Sequence, residues 1–251
     1  MDRLLVATER AERDHFWFRG FRRFVSPLLA EAVRDRPDPA ILDCGCGTGY
    51  NLGLLRQYGR AAGIDITWTG LAFARARGDR AVAQASAAVL PFGDESFDVV
   101  TSFDVIYGLQ DDDERAALRE MFRVLRPGGH LVLNVAAMNM LTGNHSVLGG
   151  EVRRYSRAVL AERLTGAGFA VRRLTYTNAA IFPIVAAVRL LQRVSGHQES
   201  EHEISIPPAP LNAALSAVLA VEAAALRVMN MPFGSSLLAL ARKGERMQRS
   251  A

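Results

Sequence analysis

Short apolar runs alternate with segments of helical spacing over residues 40–137. The run "AILDCG" (40–45) ends in glycines and reads as a strand, and "NLGLLRQYG" (51–59) follows with helical periodicity. "RAAGIDI" (60–66) predicts a second strand, "GLAFARARG" (70–78) a second helix and "RAVAQAS" (80–86) a weaker third strand. "SFDVVTSFDVI" (96–106), rich in β-branched and aromatic residues, predicts a fourth. The segment 111–129 reads as a helix with acids in its first turn and arginines in its last, stopped by Pro127-Gly128-Gly129. "HLVLNVAA" (130–137) is then a fifth strand. Alternation at this spacing predicts an α/β fold, a doubly wound parallel sheet with helices on both faces.

Beyond residue 137 the alternation breaks. Residues 138–156 are polar and dotted with glycine, the composition of a functional loop. Ser156 is placed to cap a helix over 157–168, and a sixth strand is expected over 169–177 and a last one over 235–243. Between those strands lie two apolar segments, 179–194 and 211–229, separated by the polar, proline-rich stretch 195–210. Two helices packed on each other over the sheet edge is the simplest reading. A lipophilic substrate chamber, a homodimer face or a peripheral membrane contact are the others. The chain thus divides into an N-terminal helical lid (1–39), an α/β core (40–177), a helical insertion (178–234) and the last strand with its tail (235–251).

About half of the 251 residues are apolar, enough for a substantial core. The net charge is +4, carried almost wholly by arginine, since Lys243 is the sole lysine. The arginines are scattered among acids with no basic block, which argues against nucleic acid as partner. Cys44 and Cys46 are the only cysteines; they form no disulfide framework and lack further ligands for a metal. No signal peptide and no 18-residue apolar span are read, so a cytoplasmic, soluble or surface-associated protein is expected.

The chemistry-bearing stretch is "LDCGCGTGYN" (42–51), with Asp43, Gly45, Gly47 and Gly49 between a strand and a helix. Glycines there let backbone N–H groups approach a ligand at the positive end of a helix. A nicotinamide-dinucleotide turn would place a glycine at position 50, where this chain has Tyr50.

Together with "GIDI" (63–66), "LPFGDESFDVV" (90–100) and "VLRPGGHLVL" (124–133), this stretch resembles the class I S-adenosylmethionine (SAM)-dependent methyltransferases, in their small-molecule, type 11-like branch. The resemblance implies a Rossmann-like seven-stranded sheet, its last strand antiparallel, with the helical insertion between strands six and seven. It implies SAM as cofactor, with Asp43, Cys44, Gly45, Gly47 and Gly49 around the methionine part. Asp65 would hold the ribose hydroxyls and Ile66 would pack on the adenine. Ser86, where the family usually has aspartate, and Ala87 would meet the adenine amino group. Phe103 and Asp104, at the end of strand four, would also bind the cofactor. The family's "D-V-L-E-H" there is replaced by Asp104-Val105-Ile106-Tyr107-Gly108, so Tyr107 takes the place of the usual polar pair facing substrate.

After strand five the related "H-D-E … R-R-Y-[ST]" pattern leaves His145, then Arg153, Arg154, Tyr155 and Ser156. His145 suits a general base near neutral pH. Tyr107 and His145 are the candidate catalytic residues and, with Arg153, Arg154 and Tyr155, the candidate substrate residues, the arginines through a phosphate or carboxylate. Roofing the core for Tyr107, and a solvated charge or helix-capping role for the arginines, are the alternatives. The opening "DHFWFRGFRR" (14–23) also matches, as a lid in which Trp17 and Phe18 exclude water and Arg22 or Arg23 pairs with the SAM carboxylate. The alternative is an amphipathic helix stapled to the core by its aromatics. The expected activity is methyl transfer to a small lipophilic or sugar-bearing metabolite, most often at oxygen. A SAM-binding enzyme of another reaction, such as cyclisation or rearrangement, and a non-catalytic SAM-binding partner protein are the alternatives.

Overall fold

The strands that carry the site are central because their residues tolerate burial on both faces. Every residue of β4 (Phe97–Phe103) and four of the five in β1 (Ala40–Cys44) are buried in the computed structural model, which describes residues 2–138, 152–183 and 204–245. The remaining strands are β2 (Arg60–Asp65), β3 (Val82–Gln84), β5 (Leu125–Ala136), β6 (Phe169–Thr177) and β7 (Ser236–Lys243). They form one seven-stranded sheet in the order β3-β2-β1-β4-β5-β7-β6. β7 slots between β5 and β6 antiparallel to both, and the other pairings are parallel.

Helices cover both faces. On one, α5 (Asp111–Val124) and α6 (Arg157–Gly166) bury Leu118, Met121, Leu160 and Leu164 against Val100, Leu131 and Leu133. On the other lie α2 (Phe16–Ala32), α3 (Tyr50–Leu55), α4 (Trp68–Ala76) and α7 (Ala209–Ala225), which meet Val99, Val132 and Leu240. An N-terminal helix, α1 (Asp2–Ala11), rests on α4. Ser156 caps α6 as expected, its hydroxyl accepting from the Val159 N–H at 3.3 Å.

Helix α5 is shorter than its periodicity predicts. It ends at Val124, and the Pro127-Gly128-Gly129 segment belongs to β5, whose Leu125 pairs with Phe97. Proline disfavours helix at the residue before it, and Gly129 passes β4 where a Cβ would sit 2.9 Å from the Asp98 carbonyl. Three further expectations lie outside the described residues: most of the 138–156 loop with His145, the first apolar segment from 184 onward, and the tail after 245. The second apolar segment forms α7, which packs on α2 and whose buried Glu222 accepts from the Ala179 and Ala180 N–H groups, each at 2.9 Å. Gly20 permits that contact, since a Cβ there would lie 2.4 Å from Leu219 Cδ1. No described helix is long and apolar enough to cross a membrane.

Candidate functional site

β1 has β2 on one side and β4 on the other, so successive crossovers leave in opposite directions from its C-terminal end. In open α/β sheets a ligand crevice opens at such a point. The glycine turn sits there. Gly45, Gly47 and Gly49 all adopt positive φ, at 84°, 52° and 76°. At Gly45 a Cβ would also lie 2.2 Å from Val105 Cγ2, and at Gly49 2.6 Å from the Ala74 Cβ. These positions demand glycine both for backbone hand and for space. Around Gly47, by contrast, an added Cβ would meet only Leu5, at 3.7 Å, among the described residues, so the middle of the turn is an open cradle.

Asp43 closes the floor of the turn and is 1% exposed. The Thr101 hydroxyl of β4 donates to its Oδ1 at 2.7 Å. Burial pushes its pKa up to about 7; the Thr101 bond opposes this and the nearby Asp65 charge adds to it. The thiols of Cys44 and Cys46 are buried and their pKa values are raised, so both are inert turn residues at neutral pH.

Asp65, at the tip of β2, is bracketed by the turn. Its Oδ2 accepts from the Gly47 N–H at 2.7 Å, and its Oδ1 accepts from the Thr67 N–H at 2.8 Å and the Thr67 hydroxyl at 2.5 Å. A carboxylate has about four acceptor positions, so one stays open to a ligand hydroxyl and a second opens if Thr67 turns away. Ile66 follows with 63% of its surface exposed, an apolar residue presented on the crevice lip. The Ser86 hydroxyl accepts from the Ala88 N–H at 3.2 Å, in a tight turn containing the half-buried Ala87.

The far wall is the end of β4. Phe103 is buried edge-to-face with Phe21 of α2, their ring centroids 5.0 Å apart. Asp104 takes a left-handed φ of 60°, held by its N–H donating to the Asn134 carbonyl and by the Asn134 amide donating to its carboxylate at 2.9 Å. Tyr107 lies in a single 3-10 turn, half-buried, and its carbonyl accepts from the Val152 and Arg153 N–H groups.

The candidate substrate residues after β5 divide sharply. Arg153 reaches Asp111 at 2.7 Å and pairs with Glu114, a carboxylate with no exposed surface on α5. Tyr155 is 1% exposed inside the core, and Arg154 donates to the Ala137 carbonyl at 3.1 Å. These contacts anchor the chain re-entering the fold. His145 lies outside the described residues.

The opening aromatic stretch becomes the start of α2. His15 Nδ1 accepts from the Trp17 N–H at 3.1 Å as an N-cap. Trp17 and Phe21 pack partly buried on the core, while Phe18 sits beside the His15 ring. α2 and the turn before it are tied to α7 by three hydrogen bonds. The Phe16 N–H donates to Asn212 Oδ1 at 2.8 Å, the Asn212 amide to the Asp14 carbonyl at 2.9 Å, and Arg23 to the Ser216 carbonyl at 3.0 Å. Arg23 therefore holds α7. Arg22 instead stacks over Tyr50, 4.7 Å from its ring centre, at the start of α3.

Sequence reading missed a contact that binds α1 to the glycine turn. Glu12, 5% exposed, receives the Thr48 hydroxyl at 2.7–2.8 Å and faces Arg77 at 3.3 Å. Burial raises its pKa against the Thr48 bond and the Arg77 charge. In sequence Glu12 is one acid among the charges of "TERAERD", with no mark of its burial.

Comparison with known proteins agrees with this geometry. The type 11 methyltransferase family model, described as a methyltransferase domain, matches residues 42–133, from the glycine turn through β5. A probable S-adenosylmethionine-dependent methyltransferase of Mycolicibacterium smegmatis is 36% identical over 164 residues, covering 63% of this chain and 61% of that protein. The human probable tRNA methyltransferase 9B is 39% identical over 104 residues, 41% of this chain and 22% of that protein. The chain thus spans less than two thirds of these curated relatives. Among solved structures, the [4+2]-cyclase SpnF superposes with a TM-score of 0.57 at 24% identity, over 89% of this chain and 81% of that one.

Proposed function

Because the chain belongs to the class I SAM-dependent methyltransferase family, we propose that it transfers the methyl group of SAM to a small metabolite bound at the C-terminal edge of the sheet. SAM supplies an electrophilic methyl on a sulfonium, which an acceptor electron pair takes in line as S-adenosylhomocysteine leaves. The chain's own residues supply position and dryness. The glycine turn offers backbone N–H groups and an open cradle for the methionine part. Asp65 takes ribose hydroxyls, Ile66 packs on adenine, and Ser86 and Ala87 meet the adenine edge. Phe103 and Asp104 form the wall nearest the acceptor. Trp17 and Phe18 shield the site from water, and Arg22 is the residue of the opening stretch directed to the SAM carboxylate.

The observation that carries this reading is the bracket of Asp65 by Gly47 and Thr67, beside the three left-handed glycines. Tyr107 and His145 remain the candidates for contact with the acceptor, His145 as base where the acceptor is a hydroxyl, phenol or carbon acid. α2 and α7, joined through Asn212 and Gly20, support a shared cap over a lipophilic or sugar-bearing acceptor. Calorimetric titration of S-adenosylhomocysteine tests the cofactor part. Asp65→Ala should weaken binding at least tenfold, because a charge-assisted hydrogen bond contributes about 1.5–3 kcal/mol. Binding of NAD without S-adenosylhomocysteine would overturn it. A metabolite screen for products heavier by one CH2 then identifies the acceptor.

A second reading keeps SAM bound and changes the reaction to a cyclisation or rearrangement. Tyr107-Gly108 at the family's usual Glu-His position favours it. Product formed without S-adenosylhomocysteine in step would select it.

A further inference from the structure

Arginines that the sequence scatters over some sixty positions converge on one cavity of about 640 Å³ between α2, α3 and the α1–α2 turn. Arg13, Arg19, Arg22, Arg23, Arg56 and Arg77 line it, with Asp79 as the only carboxylate among the described residues of its wall. The cavity shares Gly49 and Arg22 with the cofactor cradle but contains none of Asp43, Asp65, Ser86 or Asp104. It is a neighbour of the cradle with its own lining.

Its charge is poorly balanced. Arg56 pairs with Asp79, and Arg77 faces Glu12 at 3.3 Å and Glu9 at 3.7 Å. Arg13, Arg19, Arg22 and Arg23 form no salt bridge with a carboxylate among the described residues. Among the described residues the side-chain hydrogen bonds of Arg22 and Arg23 go to backbone carbonyls, of Arg13 and Ser216, and the exposed Arg13 and Arg19 side chains have no described hydrogen-bond partner. Burial lowers the pKa of Arg22; Tyr50 and Glu12 oppose this, while the charges of Arg19 and Arg23 add to it, as like charges gathered beside one another do. Tyr50 fixes part of the cluster without neutralising it, since Arg22 and Arg77 lie 4.7 and 5.4 Å from its ring centre.

We propose that this cavity binds the pyrophosphate group of a small molecule. The guanidinium fork matches phosphate oxygens in pairs, and two linked phosphates can engage arginines on both walls at once. A single carboxylate, such as that of SAM, needs one guanidinium and leaves most of this lining unused. The charges face into a concavity whose volume suits a small ligand. An extended polynucleotide track would instead spread them along a face.

The test uses the full chain at fixed ionic strength and titrates inorganic pyrophosphate, orthophosphate and a single-stranded RNA oligomer by calorimetry. Saturable pyrophosphate binding, tighter than orthophosphate, is expected. The double variant Arg13→Gln/Arg19→Gln should weaken it by about tenfold or more, since each lost guanidinium removes charge-assisted bonds. Both side chains are exposed and without an ion pair among the described residues, so the melting temperature and S-adenosylhomocysteine affinity should stay at wild-type values; Arg19→Gln alone provides a milder check. The proposal is overturned by absence of saturable pyrophosphate binding, or by unchanged pyrophosphate affinity in the double variant. Tighter binding of the RNA oligomer would overturn it in favour of a polynucleotide site. Mutual exclusion of pyrophosphate and S-adenosylhomocysteine would reduce the cavity to the cofactor's carboxylate subsite. Because S-adenosylhomocysteine is titrated separately, failure here is distinguishable from failure of the methyltransferase reading.

Discussion

Asp43 offers a stability measurement whose size follows from its surroundings. Its carboxyl is 1% exposed, and burial raises its pKa from 3.8 to about 7, the Thr101 hydroxyl supplying its one side-chain hydrogen bond. The folded state therefore keeps a proton that the unfolded chain releases above about pH 4. The stability this group contributes is fully present below its unfolded pKa and is lost as pH rises through 7. Between pH 5 and pH 8 the linkage relation gives a loss of about 2.5 kcal/mol from this residue alone. Asp43→Asn keeps an oxygen for the Thr101 hydroxyl and cannot ionise, so it removes the pH-dependent part while preserving the shape. Urea unfolding of both proteins at pH 5 and pH 8 isolates the effect, because all other titrating groups are common to the pair. Relative to Asp43→Asn, the native chain should be less stable at pH 8 than at pH 5 by about that amount, at equal m-values. A stability difference between the two proteins that stays constant over this range would refute the reasoning.

Three other perturbations probe separate parts of the architecture. Gly20→Ala should destabilise by about 1–3 kcal/mol through overpacking against Leu219, and in a Leu219→Ala background most of that cost should vanish, as a denaturation double-mutant cycle would report. Thr48→Val leaves the buried Glu12 carboxylate without its hydroxyl donor; we expect a loss of about 1–3 kcal/mol and faster proteolysis within α1. Arg153→Ala leaves the fully buried Glu114 with only the longer Arg163 ion pair at 3.7 Å among the described residues and should cost about 3 kcal/mol, whereas adding Glu114→Gln should recover part of it. A neutral Arg153→Ala would instead return that arginine to the list of substrate contacts.

The Asp43–Gly49 turn, Asp65 and the order of strands through β5 were legible in the chain because each depends on local rules. A left-handed glycine, an apolar run and a capped helix leave marks within a few residues of themselves. The end of α5 was misplaced by five residues, because Pro127 acts on the residue before it and the strand pairing of Leu125 with Phe97 captures what lies between. Other features have no local mark. The Phe16–Asn212 bond joins residues 196 apart in sequence, and only packing reveals that the opening aromatic stretch and the α7 segment form one layer. Likewise Arg153 looks like a ligand-binding charge until Glu114 is found buried beneath it, and Glu12 looks solvated until α1 folds onto Thr48. The arginine cavity is the extreme case. Charge is additive along a chain but acts through distance in space, so a scattered composition and a concentrated field are the same sequence before and after folding.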